Sequence, residues 1–179
     1  MKYFTQELVA RGQADDDSTL NEVEEIWDKA CDSYFQGLEA VKDQMPPGLR
    51  QRVEKYYLHD SAIRGMGRDG NSFVIMLQLD APPHSLITFT YDLLAEPVIL
   101  EETLPPCSRS KGQQVLWLYD EIEKLDGRQP GWGQSILMNN GWEVRLHFDD
   151  IQVKEVEALL PVPRNGVSTV GTSSVSMSA

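Results

Sequence analysis

The first residues whose types and spacing suit chemistry are His59 and Asp60, which adjoin where a helical pattern gives way to a strand pattern. An imidazole beside a carboxylate suits general acid–base work, and both side chains also bind metals. Metal phosphohydrolases with a His-Asp pair need further histidines and aspartates on neighbouring helices, whereas His84 and His147 lie in strand patterns here. Three alternatives stay open: His59 caps the preceding helix, the pair orients a binding surface, or the pair is catalytic or binds a metal.

A second candidate is the segment 119–123, which reads Tyr-Asp-Glu-Ile-Glu. Successive strand residues point to opposite faces, so a strand here places Tyr119, Glu121 and Glu123 together. Two carboxylates on one face suit a hard cation or an acid–base pair, and they are also typical of a solvated face. We name Glu121 as a candidate catalytic residue, and we predict neither a bound metal nor another cofactor.

The third candidate group lies on a strand near the end of the patterned region. The run from Trp142 to Phe148 alternates without error, with Glu143, Arg145 and His147 on its polar face. This alternation predicts an antiparallel strand with one buried side and one side in water. The three polar residues either form a binding patch or pair with charges on neighbouring strands. We name all three as candidate binding residues, and His147 also as a candidate catalytic residue.

Helices in the first third of the chain must position these strands. Apolar residues recur every three or four positions from Leu20 to Met45, which predicts a long amphipathic helix. Three further residues widen its apolar stripe, namely Ile26, Cys31 and Phe35. A short helix over residues 5–13 precedes it. A third helix begins at Pro46-Pro47-Gly48, and we expect its apolar face to include Tyr56 and Tyr57.

From Ser61 onward the hydrophobic period changes from 3.6 to 2, which predicts six or seven short strands between residues 61 and 153. Asn140-Gly141 between two strand patterns predicts a hairpin with a type I′ turn. Residues 105–112 are predicted to form a loop. Helices followed by strands indicate an α+β fold, with N-terminal helices packed on one face of a meandering, mostly antiparallel sheet.

The length of 179 residues favours a single domain over residues 1–161. Beyond it, residues 162–179 are rich in Ser, Thr and Val and lack aromatic residues, which predicts a disordered tail. The two cysteines, Cys31 and Cys107, have no metal-binding spacing, and we expect Cys31 to be buried. The chain shows no signal-peptide pattern and no apolar run of membrane-spanning length, so we expect a cytoplasmic protein.

The formal net charge is −12. Nucleic acids and anionic membranes are polyanions, so this charge argues against both as partners. It leaves open a basic protein partner, whose association an acidic surface would accelerate. The alternative is that the charge serves solubility alone.

Three segments together resemble a bacterial family of small uncharacterised proteins. They are the opening Met1-Lys2-Tyr3-Phe4-Thr5, the central Leu58-His59-Asp60-Ser61-Ala62-Ile63, and the run from Ile136 to Phe148 that contains Asn140-Gly141-Trp142. The resemblance spans residue 1 to about residue 155. It implies an α+β fold and a cytoplasmic bacterial protein. It carries over no catalytic residues, although the His-Asp pair recurs in the family's pattern.

Two functional hypotheses follow. The first is a non-enzymatic interaction module that binds a basic protein through its acidic surface; one form is an immunity-type protein that neutralises a basic toxin. The alternative is a small hydrolase-like enzyme that uses His59 and Asp60 with Glu121 or His147, and it requires these side chains to converge in one pocket. The protein is a monomer, or a homodimer if the helical seam of Trp27, Tyr34 and Val41 is not used internally.

Overall fold

The computed structural model describes residues 1–12, 17–101 and 114–157, and only the backbone of residues 17–19 and 21. The predicted loop 105–112, Cys107 and the predicted tail 162–179 lie outside the described residues. Three α-helices precede seven strands, which confirms the α+β fold. No helix in the described part of the chain is long and apolar enough to cross a membrane.

The helices are α1 (Gln6–Arg11), α2 (Asp17–Val41), a 3₁₀ turn (Lys42–Gln44) and α3 (Pro47–Lys55). The strands are β1 (Ala62–Asp69), β2 (Ser72–Gln78), β3 (Leu86–Leu93), β4 (Val98–Leu100), β5 (Trp117–Leu125), β6 (Gly131–Met138) and β7 (Glu143–Val156). Within these bounds, α1 begins as predicted, because the Thr5 side chain accepts a hydrogen bond from the Leu8 N–H.

The sheet has the strand order β1-β2-β3-β7-β6-β5, with β4 paired to β7, and every pair is antiparallel. It curls until its two ends meet at one point. There Ala62 bridges Leu116, and the Trp117 N–H donates to the Ser61 carbonyl at 2.9 Å. The concave side encloses the core, where Phe89, Trp117 and Phe148 are fully buried.

Helix α3 is fixed to β7 by its first turn. The Leu49 N–H donates to the Asp150 carboxylate at 3.0 Å, and the Gly48 N–H does so at 3.4 Å. A Cβ at Gly48 would lie 1.5 Å from the Ile151 carbonyl oxygen. Only glycine permits this close approach, and it lets the Leu49 side chain enter the core, where it is fully buried.

Helix α2 uses a narrower apolar stripe than the sequence predicts. Its inward residues Val23 and Tyr34 are buried, but Ile26 is 41% exposed and Phe35 is 58% exposed. Cys31 is half-buried rather than buried. The helix covers residues 3–4, helix α1 and strand β5, and this surface is too small to bury three extra side chains. The predicted wide stripe is therefore wrong.

The third helix also ends earlier than predicted. It stops at Lys55, and Tyr56 has an extended backbone. Consecutive residues of an extended chain point to opposite sides. Tyr56 therefore enters the core, whereas Tyr57 is 78% exposed, and the prediction that Tyr57 belongs to an apolar helix face is wrong.

The Asn-Gly signal identified a hairpin correctly but not its turn type. Gly141 has a φ of 88°, whereas Asn140 has no positive φ. The Gly141 N–H donates to the Met138 carbonyl at 3.0 Å, and the Met138 N–H donates to the Trp142 carbonyl at 2.9 Å. The connection is a three-residue loop with glycine in the left-handed position, the next most common hairpin after the two-residue turns.

Candidate functional site

The strand register places two of the predicted groups on the same face of the sheet. Glu121 pairs with Ser135, and Ser135 pairs with Arg145, so these residues form one row across β5, β6 and β7. The rows on either side are Tyr119–Leu137–Glu143 and Glu123–Gly133–His147. The acidic residues of β5 and the candidate binding residues of β7 therefore face the same side, with β6 between them.

Glu121 anchors the start of the chain. Its carboxylate accepts hydrogen bonds from the main-chain N–H groups of Lys2, Tyr3 and Phe4, at 2.5, 2.7 and 2.7 Å. The residue is buried. We name residues 1–5 the N-terminal segment; it lies over this end of the sheet face. The carboxylate serves as an acceptor for three backbone donors, which explains why an acidic side chain is buried here.

Glu143 makes a second attachment for the N-terminal segment. It is 1% exposed, and its carboxylate contacts the Met1 ammonium at 3.3 Å and Arg145 Nε at 2.7 Å. Burial raises the pKa of Glu143, but the Arg145 hydrogen bond and the positive N-terminus outweigh burial, so the pKa is lowered. The expectation that this sheet face lies in water is therefore wrong at Glu143.

His147 lies apart from the other candidates. Its Nε2 is buried without a hydrogen-bond partner among the described residues, and a Cβ at Gly131 would lie 3.1 Å from it. His147 on β7 is opposite Gly133 on β6, which is opposite Glu123 on β5. Glu123 lies four residues along β5 from Tyr119, whose ring contacts His59. The usual strand dimensions therefore separate His147 from Tyr119 by about 13 Å along the strand direction and by about 10 Å across the sheet. The structure does not bring His147 to the His-Asp pair.

His59 and Asp60 lie in the connection between α3 and β1. His59 Nδ1 is 2.6 Å from the Leu118 carbonyl oxygen, so Nδ1 carries the proton and donates. Nε2 is 3.6 Å from Asp60 Oδ2. The ring contacts Tyr119, with 5.0 Å between centroids. The His59 side chain thus joins strand β5 rather than the end of α3, and the capping alternative is wrong.

His59 lines a groove of about 540 Å³ between α2 and the chain that runs from α3 toward β1. We name it the aromatic groove; its aromatic and imidazole walls include Trp27, Phe35, Tyr57, His59 and Tyr119. Phe35 and Tyr57 are its exposed members. Sequence reasoning missed both, since it assigned them to the core. The sequence holds no signal that separates Phe35 from the core residues of α2, because helical periodicity does not show how wide the covered face is.

Arg52 and Asp120 at the floor of the aromatic groove belong to a polar network, in which Arg52 Nε is buried without a hydrogen-bond partner among the described residues. Arg52 Nη2 contacts Asp120 Oδ2 at 2.6 Å, and the same carboxylate accepts from Trp117 Nε1 at 3.0 Å and from Gln134 Nε2 at 2.8 Å. Gln134 in turn accepts from the Tyr91 hydroxyl at 2.9 Å. Burial raises the pKa of Tyr91, which stays a neutral donor. This network joins α3 to the sheet, and the Asp120 carboxylate is engaged by three donors.

Carboxylates of α2 lie close to the aromatic groove: Glu24 lines an adjoining pocket with Trp27 and Tyr119, and the charges of Asp28 and Asp32 act on Cys31 in the groove wall. Glu24, Asp28 and Asp32, which we name the carboxylate row, are exposed and lie one helical turn apart. Within the described residues no ion pair includes them. Burial raises the pKa of the Cys31 thiol, and the negative charges of Asp28 and Asp32 raise it further. The carboxylate row therefore projects its field onto the groove wall.

No group of three or more His, Cys, Asp or Glu side chains in the described residues is arranged to hold a metal. Comparison of the chain with protein-family models, curated proteins and solved structures finds no match. The resemblance to a bacterial family therefore stays a prediction.

Proposed function

We propose that this protein is a non-enzymatic interaction module that binds a basic protein through the carboxylate row and the aromatic groove. The observation that carries the proposal is a row of carboxylates, without ion-pair partners among the described residues, beside exposed aromatic rings. Immunity to a basic toxin is one form of this function. We also propose a cytoplasmic setting, in which the free thiol of Cys31 would stay reduced.

The charge of α2 supports a basic partner. Among its 25 residues, acidic side chains outnumber basic ones by seven to one. Glu24 and Asp28, and Asp28 and Asp32, are like-charged pairs four residues apart, and each such pair destabilises a helix by about 0.2–0.5 kcal/mol. A basic partner relieves this repulsion when it binds, and the negative potential of α2 steers it toward the surface.

The exposed rings support direct contact with a protein. Phe35 and Tyr57 are 58% and 78% exposed, although each is large enough to contribute substantially to a core. Aromatic residues near charged rims are typical of the few positions that provide most of an interface's binding energy. The hydrolase alternative receives no such support, since Glu121 is engaged by the N-terminal segment and His147 lies far from His59.

The test is affinity capture with two variants of equal charge. The variant E24Q/D28N/D32N removes the carboxylate row, and the control D80N/E101Q/D149N removes three exposed carboxylates elsewhere, so both lose three negative charges from −12. We expect the wild type to capture a basic protein at about 50 mM salt and to release it at about 500 mM. The control should capture the same protein, whereas the row variant should not.

Two results would contradict the proposed function. The first is equal loss of the captured protein in both variants, which would show that net charge alone matters. The second is capture that does not depend on salt, which would exclude an electrostatic surface as the binding determinant.

A further inference from the structure

We propose that the aromatic groove is the docking site for an arginine side chain of the basic partner; this inference rests on the proposed function. The groove would accept the flat guanidinium against its rings, while the carboxylates at its mouth balance the charge.

The rings form a continuous series from the wall to the mouth of the groove. The Trp27 and Tyr119 centroids are 4.8 Å apart, those of Tyr119 and His59 are 5.0 Å apart, and those of His59 and Tyr57 are 6.1 Å apart. The faces of Trp and Tyr rings attract cations within about 6 Å of the centroid. A guanidinium is planar and weakly hydrated, so it stacks on such faces better than an ammonium does.

Carboxylates adjoin the lining residues on two sides of the groove. Asp28 and Asp32 extend from α2, and the Asp60 side chain, which is 51% exposed, lies beside His59 on the opposite side. A cation held between the two sides would face negative charge from each. This charge complementarity selects a basic side chain over an acidic or a purely apolar one.

Two cations already line the groove, and both have partners. Arg52 is bound to Asp120 at 2.6 Å, and Lys55 is bound to Glu155 at 2.5 Å. The floor therefore offers no free carboxylate, and the Arg52 charge opposes deeper entry of another cation. An incoming guanidinium stops at the level of Tyr57 and His59, where the rings and the outer carboxylates act together.

The probe is an acetylated, amidated peptide of alternating glycine and arginine, compared with matched lysine and citrulline peptides. Citrulline keeps the shape of arginine without its charge. We expect the affinity order arginine, then lysine, then citrulline, measured by anisotropy of the labelled peptides. The variants Tyr57→Ala and Phe35→Ala should each raise Kd about three- to tenfold. The controls Ile26→Ala and Met76→Ala, which also truncate exposed apolar residues, should leave Kd within about twofold.

Each contrary outcome is distinct. Equal binding of the citrulline peptide would overturn the cationic anchor, and equal binding of the lysine peptide would overturn guanidinium stacking. If E24Q/D28N/D32N loses the arginine peptide while Tyr57→Ala and Phe35→Ala retain it, the basic-partner function stands and the groove is not the anchor. Absence of binding to any peptide overturns the anchor, whereas the capture experiment tests the function separately.

Light scattering tests a second copy of the chain as the occupant. A monomer at working concentration is the expected result. A dimer that Phe35→Ala converts to a monomer would place another copy on the groove and would overturn the arginine proposal.

Discussion

Replacing Glu121 by glutamine tests whether a buried carboxylate holds the N-terminal segment on the sheet. The substitution preserves shape but removes the charge and replaces one acceptor oxygen by a donor NH₂ group. Three main-chain N–H groups, those of residues 2–4, bond this carboxylate at 2.5–2.7 Å. A glutamine carbonyl can accept at most part of this set, and at least one N–H then faces another donor.

The expected loss follows from those three bonds. Hydrogen bonds to a charged group contribute about 1.5–3 kcal/mol each, and neutral ones about 0.5–1.5 kcal/mol. Two weakened bonds and one unsatisfied donor therefore sum to about 3–5 kcal/mol. Detachment of the N-terminal segment limits the loss of stability, because the released residues regain hydration and conformational entropy. We expect Glu121→Gln to lower the free energy of unfolding by about 2–4 kcal/mol.

Urea unfolding measures this loss, with Glu123→Gln as the control. Glu123 lies two residues along the same face and is exposed, so its replacement should change stability by less than about 0.5 kcal/mol. Hydrogen exchange at residues 2–4 should accelerate in Glu121→Gln. A variant as stable as Glu123→Gln, with unchanged exchange at those amides, would refute the anchoring role.

Three further substitutions examine other contacts, each followed by urea unfolding. Gly48→Ala should lose about 4 kcal/mol or more, because its Cβ would lie 1.5 Å from the Ile151 carbonyl oxygen; a loss below about 1 kcal/mol would contradict this close approach. The pKa of Glu143 is lowered by folding from its ordinary 4.5, so its contribution to stability is present above that pH and disappears as the pH falls through the lowered value. In Glu143→Gln the free energy of unfolding should therefore fall less steeply below about pH 5 than in the wild type. An unchanged decrease below that pH would contradict this role of Glu143. Asp120→Asn should lose about 3–5 kcal/mol because it leaves Arg52 buried without its partner. Adding Arg52→Met should recover part of that loss, whereas additive losses would show that the pair is not coupled.

The sheet was predictable because its information is local. Alternation over residues 142–148 and the turn signal at Asn140-Gly141 set strand positions, since side-chain direction has a period of two. The turn type at Asn140 was not predictable. Two-residue and three-residue hairpins both accept Asn and Gly, and the choice depends on the register of β6 and β7 rather than on the turn residues.

The N-terminal attachment was not predictable because its partners are remote. Glu121 and the residues it anchors are separated by 117–119 positions, and Glu143 is 142 positions from Met1. In the sequence, a glutamate on the polar face of a strand pattern predicts a side chain exposed to water. Only tertiary structure reveals that another segment covers that face and supplies three N–H donors. The prediction of a water-facing side failed for this reason.

The aromatic groove was missed for a related reason. Helical periodicity identifies which side chains share a face of α2, but not how wide the surface beneath it is. Phe35 extends the apolar stripe on a helical wheel, yet residues 3–4, α1 and β5 cover only the narrower part that holds Val23 and Tyr34. His59 and Asp60 were identified from residue type, but their ring partners come from β5.

The carboxylate row links binding and stability with opposite signs. Its like-charged pairs oppose helix formation, so E24Q/D28N/D32N should raise the free energy of unfolding by about 0.4–1 kcal/mol while it weakens binding of a basic partner. A row with a structural role would behave differently, because its removal would lower stability and binding together. Urea unfolding of this variant beside D80N/E101Q/D149N separates the two cases. A gain in stability with a loss of binding is the signature of a surface retained for a partner, whereas a loss of both would refute that interpretation.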